Sequence, residues 1–323
     1  MRVLMKTSLM VIAWALAGGY AAAQTYPSKP INLLIPFPAG GGTDVLGRLL
    51  GQKVSSSIGQ QVVIENRPGA GGSIASESVA RAPADGYMLM LSTNSTHVIG
   101  PLLNSKLRYN AQADFTPVAY VGTAPRLLLV NKSLPVKSVK GLVALAKARP
   151  GALNYASNGV GTITHLTSEL FKSQAGVSIE HVTYKGTTLA LSDLISGQVE
   201  MIFESIVTGL PHVKDGRLRG LAITSLKRSA LAPELPTMSE AGLPNFEAST
   251  WFGVFGPKEL PPSIVTRLNA EFNRALTDAE ILERLGKLGT EPGGGLPSQL
   301  VEIVAADWTK WQKVIRERGI TVP

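Results

Sequence analysis

Apolar and polar positions along the chain follow two periods. Ile31-Asn32-Leu33-Leu34-Ile35 is a short, nearly unbroken apolar run, the pattern of a buried strand. From about Thr43 the period changes: Leu46, Leu50, Val54 and Ile58 recur every fourth residue with Leu49 alongside, which makes one buried helical stripe. Val62-Val63-Ile64 predicts a second strand, ended by Asn66-Arg67-Pro68-Gly69. Tyr87 to Leu91 predicts a third, after the turn Pro83-Ala84-Asp85-Gly86.

A second block begins near Leu127-Leu128-Leu129-Val130. Ser138 is placed to cap a helix that carries Leu142, Val143 and Ala146 and stops at Pro150-Gly151. Strand-like Leu153 to Ala156 enters the loop Ser157-Asn158-Gly159-Val160-Gly161, and a helix opens near Thr162 with Ile163, Leu166 and Leu170 on one face. Strands are predicted at 179–184, 199–203 and 218–224, with a helix around 189–196 ended by Gly197. The C-terminal part reads as helical. Pro262 suits a first turn, Ile281, Leu282 and Leu285 mark a short helix, and Leu300, Val304, Trp308, Trp311 and Ile315 form a packing stripe capped by Gly319. Strands alternating with helices argue for an α/β chain with largely parallel sheets.

Composition narrows the chemistry. The 323 residues are 44% hydrophobic and 17% charged, enough apolar material for sizeable cores and about two domains. There is no cysteine, which excludes a disulfide scaffold, a Cys-ligated metal site, a thiol nucleophile and lipid attachment through Cys. The formal charge of +8 raises nucleic acid as a partner, but only 6% of residues are aromatic and the Lys and Arg residues are scattered, so none is expected. Arg2 and Lys6 precede the apolar run Leu9 to Ala17 and an Ala21/Ala23 site, the layout of a secretory signal peptide cleaved after Ala23. That run is too short to span a bilayer. Cleavage leaves 300 of the 323 residues and, with Arg2 and Lys6 gone, lowers +8 to +6. The expectation is an exported protein of the periplasm, not lipid-anchored.

Four strand-to-helix junctions carry candidate chemistry. Pro36-Phe37-Pro38-Ala39-Gly40-Gly41-Gly42-Thr43-Asp44 can turn its backbone N–H groups into a concavity beside a positive helix end, which suits an anion. It is not a nucleotide loop: a dinucleotide fingerprint from Gly40 needs Gly where Val45 stands, and a P-loop from Gly42 meets Arg48-Leu49 in place of Lys-Ser/Thr. Ser157 to His165 repeats the arrangement in the second block, Tyr184-Lys185-Gly186-Thr187-Thr188 is a third such junction, and Ser92 to Thr96, with Thr93, a fourth. In α/β sheets such junctions line the ligand crevice. His165, three residues inside a helix start, is either a supporting group or a ligand contact, and Glu204, at a strand's carboxyl end, is either a cleft-lining or an ordinary loop acid. His97, His181 and His212 read as solvent-facing or capping residues. No catalytic motif is present and the four histidines lack carboxylate neighbours at metal spacing, so no enzyme, cofactor or metal site is expected.

Read in order, the chain carries Tyr26-Pro27-Ser28-Lys29-Pro30-Ile31, Phe37-Pro38-Ala39-Gly40-Gly41, Glu65-Asn66-Arg67-Pro68-Gly69-Ala70-Gly71-Gly72, Ala84-Asp85-Gly86-Tyr87 and Asp114-Phe115-Thr116-Pro117-Val118. It continues with Ala146-Lys147-Ala148-Arg149-Pro150-Gly151, Tyr184-Lys185-Gly186, Leu235-Pro236-Thr237, Glu240-Ala241-Gly242 and Trp251. Over essentially the whole mature length this resembles the Bug family, the extracytoplasmic solute receptors of the tripartite tricarboxylate transporter type. The resemblance implies a two-lobed periplasmic-binding-protein fold (Venus flytrap, type II) with two sheets flanked by helices. Lobe 1 would comprise 24–123 and 249–323, and lobe 2 124–248, with hinge strands near 121–127 and 245–252. It implies a monomer that captures a small organic carboxylate by lobe closure and hands it to membrane permease subunits; a sensor signalling to a membrane kinase and, more remotely, an exported hydrolase or lyase stay open. Carried over, the first lobe's ligand residues are Phe37, Ala39, Gly40 and Asp44, and the second lobe's are Ser157, Gly161, Thr162, Tyr184 and Gly186. Thr93, His165 and Glu204 complete the candidate set. Two positions depart from the family pattern: Thr183 stands where Pro often precedes Tyr-Lys-Gly, and Glu204 where Asp is common, a longer acid that narrows the cleft or repels a second carboxylate.

Overall fold

The first strand, β1 (Ile31–Ile35), places its side chains alternately into two cores, Leu33 and Ile35 into one and Leu34 into the other. A strand buried on both faces needs helices on both, and the chain supplies them. The computed structural model describes residues 26–321, so the signal-peptide reading of residues 1–23 lies outside the described residues. Helix α1 (Gly42–Ile58) buries the predicted Leu46, Leu50, Val54 and Ile58. Its Gly47 lets the helix approach β1: a Cβ there would lie 2.6 Å from Ile35 Cδ1. β2 (Val62–Asn66), α2 (Ser73–Ala80) and β3 (Met88–Thr93) follow, and a π-turn at Ser95–Ile99 runs into the short α3 (Gly100–Leu103).

β4 (Phe115–Asn131) is the longest strand, and it belongs to both sheets. In the first sheet the order is β2-β1-β3-β9-β4, with β9 spanning Ser249–Pro257. In the second, β4 continues between β8 (Leu218–Ile223) and β7 (Met201–Ser205), followed by β5 (Asn154–Ser157) and β6 (Glu180–Thr183). Helices α4 (Val139–Ala148), α5 (Ile163–Ala175), α6 (Thr187–Ser196) and α7 (Ile206–Lys214) flank that second sheet. The chain ends with α8 (Pro262–Leu276), α9 (Ala279–Lys287), the two-residue β10 (Glu291–Pro292) and α10 (Pro297–Arg318). This is a two-lobed α/β fold.

One expectation is corrected and two readings are extended. The sheets are mixed rather than largely parallel, because β9 runs antiparallel to β3 and β4, and β4 antiparallel to β7 and β8. The run near Leu127 does open the second sheet, which β4 enters at Arg126, but the strand itself begins earlier, at Phe115, inside the first sheet. Pro117, Gly122 and Pro125 break its apolar run, and two register shifts between β4 and β9 fall at Pro117 and Gly122. Finally, α7 went unread because it contains Gly209 and Pro211. The C-terminal stripe packs as expected: Leu300 and Trp311 are fully buried, and Gly319 caps α10 in the left-handed conformation.

Candidate functional site

The first junction is held by a network from its own side of the cleft. Asp44, in the first turn of α1, accepts from the Gly40 amide at 2.9 Å, from Arg48 Nε at 3.1 Å and from Asn66 Nδ2 at 3.0 Å. Asn66 also donates to the Phe37 carbonyl at 3.1 Å. The Glu65-Asn66-Arg67-Pro68-Gly69 motif thereby fixes the shape of a loop 29 residues away. Burial works against ionisation of Asp44, but the Arg48, Gly40 and Asn66 hydrogen bonds together hold it below the ordinary carboxylate range.

The second junction is set by hydroxyls and a histidine. Thr162 Oγ1 donates to the Gly159 carbonyl at 2.7 Å, and the Asn158 amide donates to Thr164 Oγ1 at 3.1 Å. The Gly161 amide points at His165 Nδ1 at 3.4 Å, a contact that requires this nitrogen to be an acceptor. Burial, with His181 alongside, lowers His165 to about 4, so the ring is neutral at ordinary pH. His165 stacks on His181 at 4.5 Å, His181 stacks on Tyr155 at 4.7 Å, and Ser157 Oγ meets His181 Nε2 at 2.6 Å. His181 is therefore no solvent-facing residue. His97 is also corrected: it is fully buried, its ring 4.2 Å from that of Phe255 and 4.5 Å from that of Phe115.

Between the sheets lies a cavity of about 50 Å³. Of the candidate residues, Phe37, Thr93, Thr162, Gly186 and Glu204 line it. Tyr184 lines a wider hollow of about 500 Å³ that shares Phe37, Pro38 and Asn158 with the cavity. Gly161 and Gly40 line two neighbouring hollows, with Gly71 and with Thr188 respectively. Ala39, Asp44, Ser157 and His165 are not on the cavity wall. The last three are buried, and their bonds shape the loops that form it.

Four helices begin at this cavity: α1 through Gly42 and Thr43, α5 through Thr162 and Ile163, α6 through Gly186 and Thr187, and α7 through Ser205. For α1 and α6 no side chain caps the N-terminus, whereas Ser95 Oγ accepts from the Ile163 amide of α5 at 3.0 Å and Ser205 Oγ caps α7 by accepting from Val207 N. The uncapped first turns of α1 and α6 and the positive ends of four helix dipoles thus converge on one space.

Two buried charges share the wall. Glu204, 1% exposed, accepts from the Ser205 amide at 2.7 Å, Thr208 Oγ1 at 3.0 Å and Asn158 Nδ2 at 3.2 Å. Arg126, which sequence reasoning missed, is 6% exposed and donates to the Phe203 carbonyl at 3.1 Å and Thr250 Oγ1 at 2.9 Å. Burial pulls its guanidinium down to about 10, with Glu204 opposing the shift, and it stays cationic. The signal available in the sequence was a lone Arg between Pro125 and the run Leu127 to Val130, where an exposed cation is out of place. Asn158 also went unassigned; its amide bridges Thr187 Oγ1 and Glu204.

Comparison with known proteins places this arrangement. A family model described as Tripartite tricarboxylate transporter family receptor matches residues 46–320. The chain is 40% identical over 309 residues to protein BugT of Bordetella pertussis, covering 95% of both chains. Among solved structures, R. palustris Rpa4515 with adipate superposes with a TM-score of 0.89 at 39% identity, over 92% of this chain and 99% of that one. MatC from Rhodopseudomonas palustris with bound malate gives 0.86 at 33% identity, over 90% and 100%.

Proposed function

The chain belongs to the receptor family of the tripartite tricarboxylate transporters, and from that premise we propose that it captures a small organic carboxylate in the periplasm and delivers it to a membrane permease. The observation that carries this reading is the convergence of four helix N-termini on one cavity between the sheets. The uncapped first turns of α1 and α6 and the four aligned dipoles there favour an anion. The adipate and malate in the two solved relatives support a carboxylate as that anion. Among the described residues no helix is long and apolar enough to cross a membrane, consistent with a receptor that works beside a permease.

In this reading the lobes are 24–123 with 249–323, and 124–248. The first holds the ligand through Phe37 and the backbone of the turn from Gly41 to Thr43, with Ala39, Gly40, Asp44 and Asn66 keeping that loop in shape. The second contributes Thr162, Gly186 and the neighbouring Asn158 and Thr187. Glu204 repels a further carboxylate, so mono- and dicarboxylates are preferred over tricarboxylates. The protein acts as a monomer and turns nothing over. Closure is favoured only by the ligand's higher affinity for the closed lobes.

A thermal-shift panel of acetate, succinate, malate, adipate, benzoate and citrate tests this. At 100-fold excess over Kd a native-state ligand stabilises by about 2.7 kcal/mol. A shift with at least one mono- or dicarboxylate and none with sugars is expected. Stabilisation by sugars or cationic amines alone would overturn the reading, and turnover of any probe would replace it with an enzymatic one.

A further inference from the structure

We propose that Arg126 receives an anionic group of the ligand at the floor of the cleft and ties that recognition to closure of the lobes. The proposal rests on the carboxylate-receptor reading and adds to it the residue that senses ligand charge. Strand register locates it. Pro125 of β4 pairs with Ser249 of β9, whereas the next residue, Arg126, pairs with Ser205 of β7. β4 changes sheets between these two residues, so Arg126 stands at the crossing point. Its guanidinium repeats the bridge in its side chain, donating to Phe203 on β7 and to Thr250 on β9.

The guanidinium is under-used for a buried cation. It offers five N–H donors, of which these two bonds occupy two. Nε is buried without a partner. Arg126 forms no salt bridge among the described residues. Glu204 shares the wall, but its carboxylate is already turned to Ser205, Thr208 and Asn158. Buried charges are ordinarily paired, because an unpaired one gives up its hydration with nothing in return. Here the residue lines the cavity, and the missing partner is an external anion. A carboxylate matches the planar fork with two parallel N–H···O bonds, and the receptor reading makes it the anion expected here. Once bound, it is held by a side chain already fastened to both sheets. A neutral isostere of the same shape lacks that hold and leaves the lobes open.

The test compares wild type with Arg126→Met, Arg126→Lys and Thr250→Val, using succinate, malate and adipate and their neutral diamides as probes. Calorimetry gives affinity, and small-angle scattering gives the contraction on ligand binding. Wild type is expected to bind at least one acid and no diamide. Arg126→Met should weaken that acid on the order of 100-fold, the loss of a charge-assisted hydrogen-bond pair. Arg126→Lys, which keeps the charge but not the fork, should lose roughly 10-fold in affinity. Thr250→Val should keep affinity within about 10-fold of wild type yet contract less at saturation, since the guanidinium loses its hold on β9. If Arg126→Met does not fold, the Lys and Val variants decide alone. Undiminished affinity in both Arg126 variants, or full contraction in Thr250→Val, overturns the proposal. A wild type that binds none of the acids defeats the receptor reading instead.

Discussion

Gly186 shows how a single residue sets how far the cleft shuts. Its φ is +142°, and a Cβ there would lie 2.7 Å from Pro38 Cγ on the opposite junction. Alanine therefore meets both backbone strain and a wall. Gly186→Ala should leave the fold intact but weaken carboxylate binding at least 10-fold, measured by calorimetry; unchanged affinity would mean that the two junctions do not approach in the bound state. The buried histidines make a second prediction at this scale. Burial holds His97 at about 3 and His165 at about 4, and lowers His181 and His212 as well. Their folded pKa values lie below the unfolded 6.5, so the unfolded chain takes up protons first on acidification. The stability they contribute is complete above about pH 6.5 and is lost as pH falls toward 4. Asp307, raised to about 6 by burial, works in the opposite sense over part of that interval. With four groups against one, the urea midpoint should fall between pH 6.5 and 4, and a flat or rising midpoint would contradict the desolvation of these rings.

At the scale of elements, the crossing between sheets depends on Thr224 as well as on β4. Thr224 Oγ1 accepts from the Arg126 amide at 2.8 Å and donates to the Ala248 carbonyl at 2.6 Å, while its own amide donates to the Arg126 carbonyl. It is fully buried. Thr224→Val keeps the shape and removes the hydroxyl, leaving a buried donor and acceptor unpaired, at a cost of roughly 2 kcal/mol by urea denaturation. A change under about 0.5 kcal/mol would show that water takes over both bonds. Elements whose packing is periodic were legible: α1, α5, α8 and α10 announce themselves by stripes, and Ser138 caps α4 by accepting from Gly141 N. The crossing strands were not legible by periodicity, and only the resemblance pointed to hinge strands near 121–127 and 245–252. A strand that bends between two sheets needs Pro and Gly at its irregular positions, and these residues erase the alternation by which strands are recognised.

For the whole molecule, the two cores matter more than the two lobes. One core joins Leu34 and Met90 of the first sheet to Tyr155 and Phe203 of the second, and the other joins Leu33 and Leu91 to Ala156 and Ile202. Apolar packing that runs continuously through both sheets couples their unfolding. The tryptophans among the described residues, Trp251, Trp308 and Trp311, all belong to β9 and α10. Their fluorescence reports the first sheet, while far-ultraviolet dichroism reports both. The two urea transitions are expected to coincide, and separation of the midpoints would show that the lobes unfold independently. The sequence by itself determined the alternation of strands and helices, the glycine-containing junctions suited to an anion and, through its motifs, the family. These are local properties of spacing and backbone freedom. Only the tertiary structure decided which junction residues face the cavity, that Asp44 and His165 shape loops from behind its wall, and that Arg126 stands where β4 changes sheets. Each of these depends on contacts between residues tens of positions apart, and no periodicity along the chain records them.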